Sequence, residues 1–298
     1  MDSDKKSSPW TGRLLVIAAA ILWSSSGFFA KAPIFADWPI ETRGVSLAFW
    51  RAFFAAALLI FFVRKVQWTR RLLPMVTVFA LMNWTYLSGM VYCEASLAIW
   101  LQYTAPAWVF LFSWLFWKEK PKRKNWILLG FAAVGVCIIL QAELAGANIK
   151  GVSFGLGSGV FFAAVVVCLR GLRDIDAAWV VFLNHAVTAV LFSPSVVTNE
   201  ACWPTGSQWI YLAMFGMFQI GLPYVLFARA LQSISSHEAS GLSLLEPILV
   251  PLWVFIAWRT AADYQYPALT TLIGAAMILV GLLASQEWPS RKKVHLQL

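Results

Sequence analysis

The sequence predicts an all-α integral membrane protein, with ten transmembrane helices arranged as two five-helix inverted-topology repeats and both termini cytoplasmic. Three observations predict it. Of 298 residues, 60% are hydrophobic and 12% charged, too few polar groups to cover the apolar surface in water. The apolar residues gather in ten runs of about 20, the length that crosses the hydrocarbon core as a helix. A pattern of small residues, prolines and tryptophans then recurs at an offset of about 140 residues.

The first run, 13–32, follows Lys5, Lys6 and Arg13. It lacks a small-residue cleavage site leading into a polar region, so it reads as a spanning helix and not as a signal peptide. Runs at 44–63, 72–92 and 95–117 follow, the last two almost fused around Glu94, and a fifth covers 125–142. The second half is expected to span at 152–172, 177–197, 208–231, 239–258 and 267–285. No link between runs is long enough for a soluble domain. The chain therefore divides into a repeat at 1–145 and another at 146–298.

Orientation follows from Lys and Arg in alternate links. One side carries 18, including Arg64, Lys65, Arg70, Arg71, the run from Lys118 to Lys124, and Arg291 to Lys293. The other carries four: Lys31, Arg43, Lys150 and Arg259. This bias places both termini in the cytoplasm of a multi-pass protein of the inner (cytoplasmic) membrane.

The repeat is visible motif by motif. Gly12-Arg-Leu-Leu opens one helix and Gly151-Val-Ser-Phe another. Ala105-Pro106 in the fourth run corresponds to Glu246-Pro247 in the ninth, and Trp117-Lys118 to Trp258-Arg259. Each half closes on a Gly-rich helix, around Gly130 and Gly135 in one and Gly274 and Gly281 in the other. Five spans is an odd number, so the second copy enters from the opposite face, an architecture that supports alternating access.

Several function classes are excluded. The net charge of +9 is accounted for by topology signals between apolar runs, so no nucleic-acid partner is expected. Cys93, Cys137, Cys168 and Cys202 show no metal-ligand or CxxC spacing, and no metal or cofactor is expected. Gly155, Gly157 and Gly159 lie in a spanning helix with no strand before it, so they form no phosphate loop. No catalytic set converges, which argues against an enzyme.

These motifs resemble the EamA-like ten-helix branch of the drug/metabolite transporter superfamily. The similarity rests on Trp23 to Lys31, on Phe49-Trp-Arg51 and the alanines after it, and on Ala105-Pro106 through Trp117-Lys-Glu119 with the following Gly130 and Gly135. One departure is Thr260, where the repeat would place a partner for Glu119. The resemblance implies a secondary transporter, often an exporter, of small organic metabolites such as amino acids. A nucleotide-sugar or other phosphorylated-metabolite carrier and a channel are the alternatives. The expected partners are a small-molecule substrate and the lipid bilayer, with a coupling proton open, in a monomer or homodimer.

Ionisable groups at membrane depth are costly and so mark candidate sites. Arg51 lies seven residues into its run, about 10 Å from the outer surface by the helical rise. It can bind a substrate carboxylate, brace helix ends, or snorkel to headgroups. Glu246 sits inside an apolar run, able to carry a proton or to satisfy backbone freed by Pro247. Pro106 and Pro247 are read as helix breaks. His185 can titrate or make an interhelical hydrogen bond. Asn83, Trp84, Tyr86, Tyr103, Gln219 and Tyr224 complete the polar candidates, with Asn83 and Gln219 at equivalent places in the repeats. Of 17 tryptophans, Trp23, Trp50, Trp84, Trp100 and Trp108 lie deep enough to line a cavity for an aromatic or cationic solute. Trp10, Trp38, Trp68, Trp117, Trp126, Trp203, Trp209 and Trp288 fall at run ends, as an interfacial belt would. The Lys118–Lys124 run is a topology signal that can also hold anionic lipid.

Overall fold

A computed structural model describes residues 8–118, 122–145, 149–262 and 264–285. Among these residues every regular element is helical. Nine helices among the described residues are long and apolar enough to cross a membrane. They are α1 Pro9–Ala30, α2 Ile40–Phe62, α3 Leu72–Tyr92, α4 Ala95–Leu115, α5 Arg123–Gln141, α6 Ile149–Arg170, α7 Ala177–Val197, α8 Gln208–Ala230 and α9 Gly241–Trp258. The tenth, α10 Leu269–Ser285, is a shorter apolar helix. Lys5, Lys6, Glu119, Lys120, Trp288 and Arg291 to Lys293 lie outside the described residues.

The helix starts explain where hydropathy misplaces the ends. α1 begins at Pro9, a residue that loses nothing in a first turn, and Ser8 accepts from the Trp10 amide at 3.3 Å. α2 begins at Ile40, four residues before its apolar run. The polar first turn is held because Arg43 folds back to donate to Trp38 O and Ala36 O, each at 2.6 Å. α7 is capped by Asp176, whose carboxylate accepts from the Trp179 amide at 2.9 Å.

Packing of the helices repeats under exchange of the two halves. α3 lies along α6 as α1 lies along α8, and α4 meets α6 as α9 meets α1. α7 packs on α3 as α2 packs on α8, while the pairs α2–α7 and α5–α10 map onto themselves. The α5–α10 contact is made by the closing Gly-rich helices. A Cβ on Gly135 would stand 2.6 Å from Gly274 O, and one on Gly274 would stand 2.6 Å from Gly135 O. Only glycine at both positions lets the backbones approach so closely.

The tryptophan belt holds in part. Trp10, Trp68, Trp126, Trp203 and Trp209 are exposed at helix ends, but Trp38 is buried at 3%. Its ring packs on Phe35 beneath the α1–α2 link, so it belongs to the core and not to the interface. Cys93 and Cys202 are buried, and the Cys93 thiol donates to Gly89 O at 3.0 Å. Cys202 Sγ lies 3.4 Å from Thr42 Oγ1, which ties the α7–α8 link to α2.

Candidate functional site

Two helices break near mid-depth, at equivalent places in the repeats. α4 runs Ala95–Gln102, turns at Tyr103 and Thr104, and resumes as Ala105–Trp117. Around α9, a short helix Ser236–Ser243 ends at Leu244 and Leu245–Trp258 follows. Pro106 and Pro247 therefore fall in the first turn of a new segment, where a missing N–H costs little. They initiate segments and do not kink continuous helices.

The breaks meet. Pro247 has no N–H to offer Ser243 O, and the Tyr103 hydroxyl, at the break of α4, turns toward that carbonyl at 3.3 Å. The same hydroxyl donates to Glu246 Oε2 at 2.8 Å. Trp100 lies edge-on to Tyr103 with centroids 6.5 Å apart. Glycine also lets α6 approach the α4 break: a Cβ on Gly159 of α6 would come 2.7 Å from both Leu101 O and Thr104 Oγ1.

A second group surrounds Arg51. Arg51, Asn83 and Gln219 each stand twelfth from the start of α2, α3 and α8, about 17 Å along by the helical rise. Arg51 is thus deeper than the apolar run suggests, because α2 starts at Ile40. It is buried at 3% and does not snorkel. Its Nη2 donates to Asn83 Oδ1, and its Nη1 to Gln219 Oε1 at 3.4 Å. Gln219 Nε2 in turn donates to Trp23 O at 2.8 Å, which carries the network into α1. The guanidinium lies 5.9 Å from the Tyr86 ring centroid and 5.1 Å from that of Phe215. Tyr86 OH and Ser26 Oγ hydrogen-bond at 2.7 Å. α8 approaches α2 closely enough that a Cβ on Gly216 would stand 2.6 Å from Arg51 O, and the helix widens to a π-turn over Phe215–Gly221. Such turns often accompany functional residues.

Two donors in this group, Arg51 Nε and Asn83 Nδ2, are buried without an acceptor. Buried polar groups in folded proteins are rarely left so, and two donors side by side suit an anionic acceptor. Trp23 and Tyr224 pack edge-on at 5.3 Å along the border of the group. His185 is fully buried between Phe79 at 4.9 Å and Tyr224 at 6.1 Å, with neither ring nitrogen hydrogen-bonded.

Of the residues singled out in the sequence, the fold brings Arg51, Asn83, Tyr86 and Gln219 together with Trp23, Tyr224 and His185 at their border, and brings Trp100, Tyr103 and Glu246 together where the broken helices meet. Trp84 lies apart. Its ring packs on Phe154 of α6 at 5.6 Å and Phe192 of α7 at 6.3 Å, on the far side of α3. Trp50 is also removed, its indole donating to Cys202 O at 3.2 Å among Trp203 and Trp209. Ser26 and Phe215 belong to the group but escaped sequence reasoning. The three successive serines at 24–26 inside an apolar run were the available signal for Ser26. Phe215 carried none.

Comparison with known proteins agrees with this architecture. The sequence model of the EamA-like transporter family matches residues 10–141 and again 149–285. The chain is 26% identical over 277 residues to an uncharacterised transporter of Archaeoglobus fulgidus, covering 91% of this chain and 95% of that one. It is 24% identical over 282 residues to the pseudopaline exporter CntI of Pseudomonas aeruginosa, covering 92% and 95%. A protein crystal structure superposes with a TM-score of 0.61 at 19% identity, over 93% of this chain and 98% of that one, a likeness of fold.

Proposed function

We propose that this chain, which belongs to the EamA-like transporter family, exports a small zwitterionic metabolite, an amino acid or a relative of one, across the cytoplasmic membrane by alternating access. Membrane transport, not catalysis, is the activity for which the family and the named relatives stand. One of those relatives is an exporter.

The observation that carries the zwitterion is a buried cation, Arg51, in one repeat with a half-buried acid, Glu246, in the other. Arg51 and the adjacent Asn83 offer donors without acceptors, which a carboxylate would take. Glu246, from the other repeat, offers a counter-charge to an ammonium. Trp23, Tyr86, Trp100 and Tyr224 give aromatic faces between them, suited to a cation or an apolar side chain. Binding at mid-depth between broken helices of opposed repeats is the usual arrangement of a carrier. A phosphorylated substrate would bring two negative charges to a group in which Arg51 is the single cation.

Hydrogen bonds and ion pairs tie the repeats together at both ends of the bundle. Near the α1–α2 link they are half-buried: Gln208 Nε2 donates to Ile34 O at 2.7 Å, and Trp258 Nε1 to Phe28 O at 2.8 Å. Glu94 likewise accepts from Thr271 Oγ1 at 3.1 Å. At the opposite end the ties are the ion pairs Arg13–Glu238 and Arg71–Asp174 and the half-buried bonds that Gln67 makes with the Asp176 amide at 2.8 Å and the Trp179 indole at 2.9 Å. In this reading Glu246 is the group that carries a coupling proton.

A thermal-shift screen of the purified chain against amino acids, simple amines and sugar phosphates tests the substrate class. A ligand at 100 times its Kd stabilises by about 2.7 kcal/mol. Amino acids should raise the melting temperature, whereas amines lacking a carboxylate and sugar phosphates should not. A shift confined to sugar phosphates would overturn the assignment.

A further inference from the structure

Among the described residues α8 alone carries a π-turn, over Phe215–Gly221, closed by the Leu222 amide donating to Met217 O. Two features of the sequence hold it there. Pro223 stands two residues beyond it, and a proline inside an α-helix clashes with the carbonyl four residues before it, here that of Gln219. The π-turn widens the helix at that carbonyl. Gly216 and Gly221 are five apart, which on an α-helix of 3.6 residues per turn separates them by about 140°. A π-turn bonds residues five apart and so returns both to one face.

Both glycines face α2. A Cβ on Gly216 would stand 2.6 Å from Arg51 O and 2.8 Å from Ala55 N, and one on Gly221 would stand 3.7 Å from Ala55 Cα. The backbone of α8 thus lies on that of α2 at the residue that carries the guanidinium. Gln219 sits between the glycines and is 2% exposed. Its Oε1 accepts from Arg51 Nη1 at 3.4 Å, and its Nε2 donates to Trp23 O at 2.8 Å, beside the turn at Ser25 that interrupts α1. On the other side Asn83 Oδ1 accepts from Nη2. Arg51 is therefore held by one amide from each repeat, with Nε left over. A guanidinium presents its donors in a fixed fork, so the bonds at Nη1 and Nη2 decide where Nε points.

We propose that the π-turn of α8 is the positioning element of this site. Gly216, Gly221 and Pro223 set the turn, the turn seats Gln219, and Gln219 with Asn83 aims Arg51 Nε at the substrate. This role rests on Arg51 being the partner of the substrate carboxylate. The four residues of α8 act through Arg51 as positioning residues.

Titration calorimetry of the full chain in detergent tests it, with an amino acid that binds in the thermal-shift screen and its carboxamide as probes. Wild type should prefer the acid by at least about tenfold, the value of one charge-assisted hydrogen bond. Gln219→Met keeps the length, removes both bonds, and should cut that preference to below about threefold. Gly216→Ala pushes α8 off α2 and should do the same. The two together should lose no more than either alone, because the glycine acts through Gln219. Pro223→Ala relaxes the turn without a new contact and should move the preference in the same direction, which keeps the test open where Gly216→Ala does not fold. A glycine needed only for packing would instead weaken acid and amide alike. Gly130→Ala, with nothing within 4 Å, should leave both affinities unchanged. An acid preference that survives Gln219→Met, or losses that add, would overturn the positioning role alone. A wild type that binds the amide as tightly as the acid would overturn the carboxylate reading of Arg51, and the aiming role with it.

Discussion

Replacing Arg51 by methionine separates its two possible contributions, because the unbranched side chain keeps most of the volume and removes every donor. Within the fold, Arg51→Met loses the bonds to Asn83 Oδ1 and Gln219 Oε1. Interhelical hydrogen bonds in membrane proteins average about 0.6 kcal/mol and reach about 1.7. Stability should therefore fall by about 1–3 kcal/mol for the two. Toward ligand the loss should be chemically selective. A charge-assisted hydrogen bond to a carboxylate is worth about 1.5–3 kcal/mol, which is roughly 10- to 150-fold in affinity. The assay is a cycle of wild type and Arg51→Met against an amino acid found to bind and against its carboxamide, by titration calorimetry. The variant should lose at least tenfold for the acid and less than about threefold for the amide, on the same scale. Equal losses for both ligands would refute a carboxylate contact and leave Arg51 as a brace between α2, α3 and α8.

The remaining predictions use other parts of the fold. Glu246→Gln keeps an acceptor for the Tyr103 hydroxyl and removes the charge, so the variant should fold normally and lose the pH dependence of transport. A wild-type pH profile in that variant would exclude Glu246 as the proton carrier. Gly135→Leu forces a Cβ to within 2.6 Å of Gly274 O and should cost about 1–3 kcal/mol in detergent melts, whereas Gly130→Ala, with nothing within 4 Å, should be neutral or slightly stabilising. The Arg71 guanidinium holds the Asp174 carboxyl below the usual carboxylate range. A carboxyl so lowered contributes above its unfolded pKa and loses that contribution as pH falls through the folded one. Asp174→Asn should therefore melt slightly below wild type at neutral pH, and the two melting curves should converge well below about pH 4.

Much of this architecture was legible in the sequence, because lipid leaves a chain few choices. Ten apolar runs separated by charged links admit ten helices and little else. The helix ends were less legible for a local reason: α2 takes Glu41, Thr42 and Arg43 into its first turn, and a hydropathy window cannot register the fold-back of Arg43 onto Trp38 O. The equivalence of Asn83 and Gln219 was visible as a repeat, but that both reach the same guanidinium depends on α2 threading between α3 and α8. The prolines signalled breaks, while the meeting of Tyr103 with Glu246 and Ser243 O is a contact between residues 140 and 143 apart and has no local signature. Trp84 shows the opposite failure. Its position midway along α3 marked it for the interior, yet the neighbouring residues Asn83 and Tyr86 take that face, and a helix can turn only one face inward.

The most direct test of the account is counterflow in proteoliposomes. Vesicles loaded with an unlabelled amino acid that binds in the thermal-shift screen should take up external labelled substrate faster than empty vesicles, with saturation, because one site alternates between the two faces. Uptake that neither saturates nor responds to the internal substrate, or unitary currents across a planar bilayer, would contradict a carrier built from opposed repeats.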